Sequence, residues 1–317
     1  MVNCPSVSIA DGSSPGAVRI DVGGYKLNSV LLEPDREPDL PPIVFIHGAS
    51  ASLYDPLFSF RDKLIGRAKL LFVDRPGHGQ SDPGSRKNIL PDGQADAIAV
   101  LMEKRHVRKA IIVGHSLGGA IALALAVRHP ERVSGLVLLS PAAYPWKGGV
   151  AWYYQVASVP IAGGIFSALV APPLGLLAID RATRDVFAPN RRPRNYIEKT
   201  RALQALSPIA FRHNAEEVAA LSNWARSASV SYPRIKVPTI IITGDADDVV
   251  SPEIHARQLA RDIRRARLIV VRNLGHKSDF VAADLAIAAI EAVAGRRVNL
   301  ASVKRLIETR IAQDGRD

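Results

Sequence analysis

The sequence predicts an α/β fold built around a largely parallel sheet. Short apolar runs that suit buried strands alternate with segments of helical periodicity. Such alternation places helices on both faces of a parallel sheet. With 317 residues and a hydrophobic fraction of 47%, the chain has enough apolar side chains for one large core and an additional unit.

The first half of the chain carries the clearest alternation. Residues 18–22 and 25–32 flank Gly23-Gly24 and predict a hairpin. Continuous apolar runs predict strands that are covered on both faces. These runs lie at residues 43–46, 69–73, 109–113 and 133–139, with helices predicted at 95–106 and 117–128.

The alternation disappears after residue 141 and later returns. Up to residue 236 the chain shows only helical periodicity, at 197–206 and 215–226. We therefore predict a discontinuous core, residues 1–141 and 236–317, interrupted by a mostly helical insertion at residues 142–235. The remaining predicted elements are strands at 238–243 and 267–271, and helices at 252–264, 281–293 and 300–311.

The insertion begins with an uncharged stretch, residues 148–179. By length alone this stretch could cross a bilayer, which takes about 20 residues. Pro160, Pro172 and Pro173 lie within it, and proline disrupts the interior of a helix. We therefore expect no uninterrupted helix of that length, and we assign the stretch to a lipophilic surface.

Net charge and cysteine content limit the function classes. The formal charge is +11, which favours anionic partners, but the basic residues form no long run and no nucleic-acid-binding motif accompanies them, so we expect no nucleic-acid partner. Cys4 is the single cysteine, so neither an intrachain disulfide nor a cysteine metal site is expected. No secretory signal is recognisable, and we expect a cytoplasmic protein.

The pattern G-x-S-x-G occurs where a strand is predicted to meet a helix. It reads Gly114-His115-Ser116-Leu117-Gly118. A serine at such a sharp turn exposes its hydroxyl at the carboxyl edge of the sheet, where open α/β folds bind ligands. We predict that Ser116 is a nucleophile; the alternative is a tight turn without catalysis.

A serine nucleophile requires a base, and the base requires an orienting carboxylate. Of eight histidines, His276 follows the last predicted strand at the same sheet edge as Ser116, and we predict that it is the general base. Asp247 is the predicted carboxylate, with Asp245 and Asp248 as alternatives that could instead shape the turn.

The oxyanion of an acyl-transfer reaction needs two N–H donors that are already in position. The amide of Leu117, directly after the serine, is the first predicted donor. The second is expected from the loop after the strand at residues 43–46, at Ala49. These roles need neither a metal nor an organic cofactor, and we expect none.

Taken in order, the motifs resemble the esterase and lipase group of the α/β-hydrolase fold superfamily. The resemblance covers residues 18–140 and 236–295. It implies a mostly parallel eight-stranded sheet flanked by helices, with the insertion as a helical cap above the site. The matching segments are His47-Gly48, Asp74-Arg75-Pro76-Gly77-His78-Gly79-Gln80-Ser81, the turn at Ser116, Gly244-x-x-Asp247 and Gly275-His276.

Departures from other groups of this superfamily narrow the expected activity. Dehalogenases and epoxide hydrolases of this fold carry an aspartate where this chain has Ser116. Hydrolases of carbon–carbon bonds usually have asparagine and tryptophan where His115 and Lys277 stand. Haloperoxidase-like members usually have an aromatic residue in place of Ala49. We therefore expect a serine hydrolase of carboxylic esters, acting through an acyl-enzyme.

Two alternatives remain, an acyltransferase with the same triad and a non-catalytic lipid- or ligand-binding protein. For an esterase, the aromatic residues of the insertion suit a lipophilic substrate or contact with an anionic membrane surface. Their alternative role is to pack the insertion on the core. The predicted substrate-binding residues are His115, Trp146, Trp152, Tyr153 and Phe166.

Overall fold

The computed structural model describes residues 16–147, 152–159 and 162–314. Within these residues eight strands form one sheet, in the order β1-β2-β4-β3-β5-β6-β7-β8. The strands are Ala17–Asp21 (β1), Lys26–Leu32 (β2), Ile43–Ile46 (β3), Leu70–Val73 (β4), Ala110–His115 (β5), Val133–Leu139 (β6), Thr239–Gly244 (β7) and Ala266–Val271 (β8).

Helices connect the strands and cover both faces of the sheet. Before β7 they are Tyr54–Leu64 (α1), Pro91–Lys104 (α2), Leu117–Arg128 (α3), Trp152–Ser158 (α4), Ala162–Ile165 (α5), Ala171–Phe187 (α6), Tyr196–Lys199 (α7) and Pro208–Ala228 (α8). After β7 they are Ala256–Asp262 (α9), Ser278–Val281 (α10), Ala283–Val293 (α11) and Leu300–Asp314 (α12).

The sheet is parallel from β4 to β8, and only the pairs β1–β2 and β2–β4 are antiparallel. The predicted eight-stranded, mostly parallel sheet and its N-terminal hairpin are therefore confirmed. Alternate residues of β3 show why the strands read as continuous apolar runs: Val44 packs into one core cluster and Phe45 into the other. Phe45 stacks on Phe72 with ring centroids 4.7 Å apart.

Agreement with the predicted boundaries is closest at the centre of the sheet. Both β6 and α3 begin and end at the predicted residues. The helix predicted at 252–264 is shorter, because α9 covers only Ala256–Asp262. The segment 197–206 does not form one helix: it divides into α7 and a 3₁₀ turn at Ala202–Leu206.

The expectation that prolines interrupt the uncharged stretch was wrong at Pro172 and Pro173. A continuous helix runs through Gly163–Phe187. It contains a π-helical turn at Phe166–Val170, directly before α6, and the two prolines occupy the first turn of α6. Proline is tolerated in a first turn, and a π turn changes the hydrogen-bond pattern that proline would otherwise break.

This helix is long and apolar enough to cross a membrane, judged by length and composition only. Its most apolar window is 17% buried, so much of the helix faces outward. One such helix is weak evidence of a membrane span, because helices of soluble proteins also meet this criterion. Its most exposed apolar side chains are Ile165, Leu169, Leu174, Leu176 and Leu177.

Candidate active site

Ser116 lies at the turn between β5 and α3, as the motif predicts. Its backbone φ of 53° and ψ of −118° are uncommon for a residue with a side chain. The turn is compact because Gly114 and Gly118 carry no Cβ, which would collide with the carbonyl oxygens of Gly118 and Ile46, respectively. The serine therefore stands at the carboxyl end of a central strand.

His276 and Asp247 follow β8 and β7 and lie side by side. Nδ1 of His276 is 2.9 Å from Oδ2 of Asp247 and 3.1 Å from Oδ1. Both residues are buried, at 4% and 5% exposed. Because Nδ1 faces the carboxylate, Nε2 is the ring nitrogen directed away from Asp247.

The carboxylate of Asp247 is fixed by its own loop. Its Oδ1 accepts hydrogen bonds from the amides of Val249 and Val250, at 3.0 and 2.9 Å. Burial acts to raise the pKa of Asp247, but His276 and the Val250 amide hold that pKa below its ordinary value. Asp245, an alternative carboxylate in the sequence, instead accepts a hydrogen bond from the amide of Asn273.

Ser116 and His276 line one cavity of about 830 Å³, whose wall is mostly apolar. Five other predicted residues also line it: the two predicted oxyanion donors, Ala49 and Leu117, and three predicted substrate-binding residues, His115, Trp146 and Phe166. The backbone of Trp152 and Tyr153 belongs to α4, but their side chains lie outside the described part of the structure. A second hollow of about 770 Å³, near Asn190 and α12, is lined by none of these residues.

The loop that carries Ala49 is held from two sides. The guanidinium of Arg75 donates a hydrogen bond to the Gly48 carbonyl at 3.0 Å. The side chain of Asn214, in α8, accepts one from the Ser50 amide at 2.7 Å. Within the described residues, the amides of Ala49 and Leu117 have no hydrogen-bond partner. Both are thus available to a ligand.

The sequence model of the alpha/beta hydrolase fold family matches residues 41–282. The chain belongs to this family. Curated relatives of this alpha/beta hydrolase include Lipase 3 of a Moraxella species, 26% identical over 74% of this chain and 71% of the lipase. A dihydrolipoyllysine acetyltransferase component of the acetoin cleaving system of Cupriavidus necator is 37% identical, but over 32% of this chain.

The chain spans only 27% of the length of that acetyltransferase component. Among solved structures, the enol-lactonase of Burkholderia xenovorans superposes with a TM-score of 0.69 and 21% identity. The superposition covers 88% of this chain and all of the lactonase. The likeness to the lactonase concerns the fold.

Beside the site this alpha/beta hydrolase contains a buried ionic network that the sequence did not reveal. Arg75, with no exposed surface, donates from Nη1 to both carboxylate oxygens of Glu217 in α8, at 2.9 Å each. His78 contacts the same carboxylate at 2.9 Å. Burial acts to raise the pKa of Glu217, but Arg75 and His78 hold it well below its ordinary value. The network joins α8 to the loop that follows β4.

A second buried cluster surrounds Lys277, directly after His276. Its Nζ lies 2.6 Å from Asp55 and 3.0 Å from Asp279. Burial opposes the charge of Lys277, but the two carboxylates raise its pKa well above the ordinary value. Potential metal-binding atoms of Asp55, His115 and Asp279 lie within 4.8 Å of one another. Lys277 already supplies the positive charge that a cation would bring.

His115 connects the serine turn with the histidine loop. Its Nε2 donates to the backbone carbonyl of His276 at 3.0 Å, so the neutral ring leaves Nδ1 without a proton. That Nδ1 is buried without a partner in the described structure. His115 was predicted to bind substrate, and the structure gives it a contact that fixes the position of His276.

Proposed function

We propose that this alpha/beta hydrolase cleaves carboxylic esters with Ser116, His276 and Asp247. The observation that carries this proposal is the His276–Asp247 pair, whose histidine lines the same cavity as a serine on a strained turn. The amides of Ala49 and Leu117 are the proposed oxyanion donors. The relatives that are lipases support ester hydrolysis as the reaction class.

The reaction begins when Oγ of Ser116 attacks the ester carbonyl and Nε2 of His276 takes the hydroxyl proton. The carbonyl oxygen becomes an oxyanion, which the two amides stabilise. When the tetrahedral intermediate collapses, His276 gives the proton to the leaving alcohol and an acyl-enzyme remains. A water molecule then attacks, again losing its proton to His276, and the acid leaves as Ser116 regains its proton. Asp247 stabilises the charged ring throughout.

Replacing Ser116 with alanine tests this mechanism. Purified Ser116→Ala protein should show no hydrolysis of p-nitrophenyl butyrate above background and no labelling by a fluorophosphonate probe. The matched control is Ser227→Ala in α8, since the Ser227 hydroxyl donates to the Trp224 carbonyl at 2.9 Å and neither residue lines the cavity. Full activity of Ser116→Ala would refute the mechanism, and absence of labelling of the wild type would favour a non-catalytic binding protein.

We propose residues 142–235 as the cap and residues 1–141 with 236–317 as the core. The described helices of this insertion supply much of the cavity wall, which supports a role in substrate selection. Small and aliphatic side chains of α6 face the cavity, including Leu174, Ala178 and Ile179. An apolar wall of this kind suits a lipophilic acyl part.

We further propose that the protein is cytoplasmic and binds peripherally to anionic membranes. The outward face of the continuous helix Gly163–Phe187 supports this, with Leu169 71% and Leu177 85% exposed. The insertion carries eleven basic and five acidic side chains, so it holds more than half of the net charge of +11. Leucine beside basic residues is the composition that anionic lipid surfaces attract.

Acyl transfer to an acceptor other than water is the second candidate. The similarity to an acetyltransferase component over 102 residues favours it. Hydrolysis in the presence of added primary alcohols separates the two. An acyltransferase forms the new ester in preference to the acid at millimolar alcohol, whereas a hydrolase gives mainly acid.

A further inference from the structure

His255 is a buried histidine that the proposed reaction does not use. It lies directly before α9, is 4% exposed, and lines the same cavity as Ser116 and His276. Its ring packs edge-on against Trp146, with centroids 5.9 Å apart. Because buried polar groups are normally hydrogen-bonded, each nitrogen of this ring is expected to have a partner.

The hydrogen bonds of His255 fix its tautomer. Nδ1 lies 3.1 Å from the amide nitrogen of Ala143 and 3.0 Å from that of Tyr144. Both partners are donors, so Nδ1 must carry a lone pair. Burial lowers the pKa of His255 to about 4, and the ring is therefore neutral at pH 7. The single ring proton consequently sits on Nε2.

That Nε2–H is directed away from the loop bound by Nδ1. Within the described residues this nitrogen has no hydrogen-bond partner, and it is not among the fully buried atoms that lack one, so part of its surface is exposed. It is therefore accessible from the cavity that His255 lines. Trp146, whose ring packs against His255, and Ile254, its neighbour in the sequence, line the same mostly apolar cavity. In apolar surroundings an N–H group that loses its bound water is destabilised unless a ligand atom accepts its hydrogen bond. Binding therefore favours a ligand that places an acceptor at this position.

The position of His255 indicates which part of an ester it meets. His255 ends the segment that leads from Asp247 after β7 to α9, so it lies on the side of the site that holds the acid–base pair. In the proposed reaction His276 must reach the leaving oxygen in order to protonate it. Groups on that side therefore contact the alcohol part, while α6 lines the space that suits the acyl part.

We propose that Nε2–H of His255 donates a hydrogen bond to a second oxygen in the alcohol part of the substrate. The preferred substrates are then esters of diols or polyols. This inference rests on the proposed ester hydrolysis and names the class of alcohol. A substrate hydroxyl at this position accepts a hydrogen bond from His255, which a methyl group of similar size cannot do.

The experiment compares 2-hydroxyethyl butyrate with propyl butyrate, which differ only by a hydroxyl in place of a methyl group. The wild type should favour the hydroxyethyl ester in kcat/KM. His255→Phe should lower the ratio of the two kcat/KM values by about 10-fold, and because both esters are measured on the same variant, a general loss of activity does not change this ratio. His255→Gln, whose amide can both accept and donate, should keep part of the preference.

The possible results separate failure of this inference from failure of the proposed ester hydrolysis. If the wild type hydrolyses both esters with equal kcat/KM, or if the preference is the same in His255→Phe, the inference is wrong and ester hydrolysis stands. A preference found only in the acyl pair, propyl 4-hydroxybutyrate against propyl pentanoate, also overturns it. If Ser116-dependent hydrolysis of every ester is absent, the proposed function itself fails.

Discussion

At the scale of single residues, Asp247 is positioned by more than its histidine. Two loop amides hold one of its oxygens and the His276 ring faces the other. This arrangement keeps the carboxylate ionised and prevents its rotation. The same geometry assigns the tautomer of His276, with Nδ1 protonated toward the carboxylate.

Replacing Asp247 with asparagine should therefore lower kcat for p-nitrophenyl butyrate by about 10³–10⁴-fold, because the amide no longer stabilises the charged ring and permits the wrong tautomer. Steady-state kinetics measure this. The matched control is Asp245→Asn, two residues away, whose carboxylate bonds the Asn273 amide. Equal losses in the two variants would remove Asp247 from the proposed triad.

Sequence reasoning singled out Ser116, Asp247 and His276 because each lies in the segment that follows a predicted strand. The carboxyl ends of parallel strands meet at one sheet edge, so their loops converge. Arg75 and Glu217 offered no such signal, because they lie 142 residues apart and no local pattern pairs them. The double acceptor role of His255 Nδ1 likewise depends on a loop more than a hundred residues away.

At the scale of elements, α8 is held to the core by the buried carboxylate of Glu217. Glu217→Ala leaves the charge of Arg75 buried without its carboxylate and should lower the free energy of unfolding by about 3–5 kcal/mol. Urea unfolding measures this. In the neighbouring control, Glu216→Ala, a partly exposed pair with Arg212 is lost, which costs less than about 1 kcal/mol. Equal effects would contradict the structural role of the network.

The outward face of the continuous helix Gly163–Phe187 leads to a separate prediction. In vesicle flotation, the double variant Leu169→Asp and Leu177→Asp should lose binding to vesicles that contain anionic lipid. Hydrolysis of soluble p-nitrophenyl butyrate should persist, since both side chains are largely exposed. Leu306→Asp on α12, 68% exposed, is the control. Wild-type protein that stays unbound at low salt would refute the membrane proposal.

The same helix shows where local rules failed. Pro172 and Pro173 correctly signalled an irregularity, but the irregularity is a π turn at Phe166–Val170 and the helix continues through it. A rule that treats proline as the end of a helix cannot distinguish a helix that ends from one that continues with a different hydrogen-bond pattern. The choice depends on packing against the rest of the insertion, which the local sequence does not encode.

At the scale of the whole molecule, stability should depend on four buried histidines. Burial lowers the pKa of His47, His78, His115 and His255, in the case of His78 and His255 to about 4. The unfolded chain, with values near 6.5, binds more protons below that pH. The free energy of unfolding should therefore fall as pH drops from about 6.5 to 4, by roughly 1.4 kcal/mol per pH unit for each proton taken up.

Urea midpoints at pH 7.5 and 5.0 measure this dependence. The difference between the two midpoints should shrink in His255→Phe, which removes one of the four groups. It should be unchanged in His106→Gln, because His106 is exposed. A wild-type midpoint that is the same at both pH values would show that these histidines do not govern acid stability.

The bond between Arg75 and Glu217 also limits how this protein can be re-engineered. Grafting the insertion of another hydrolase onto this scaffold, or trimming the chain to a minimal enzyme, would remove the carboxylate that neutralises Arg75. The guanidinium would then remain in the interior, where desolvation disfavours an uncompensated charge. A chimera therefore needs either a glutamate at the equivalent helix position or a simultaneous Arg75→Met substitution.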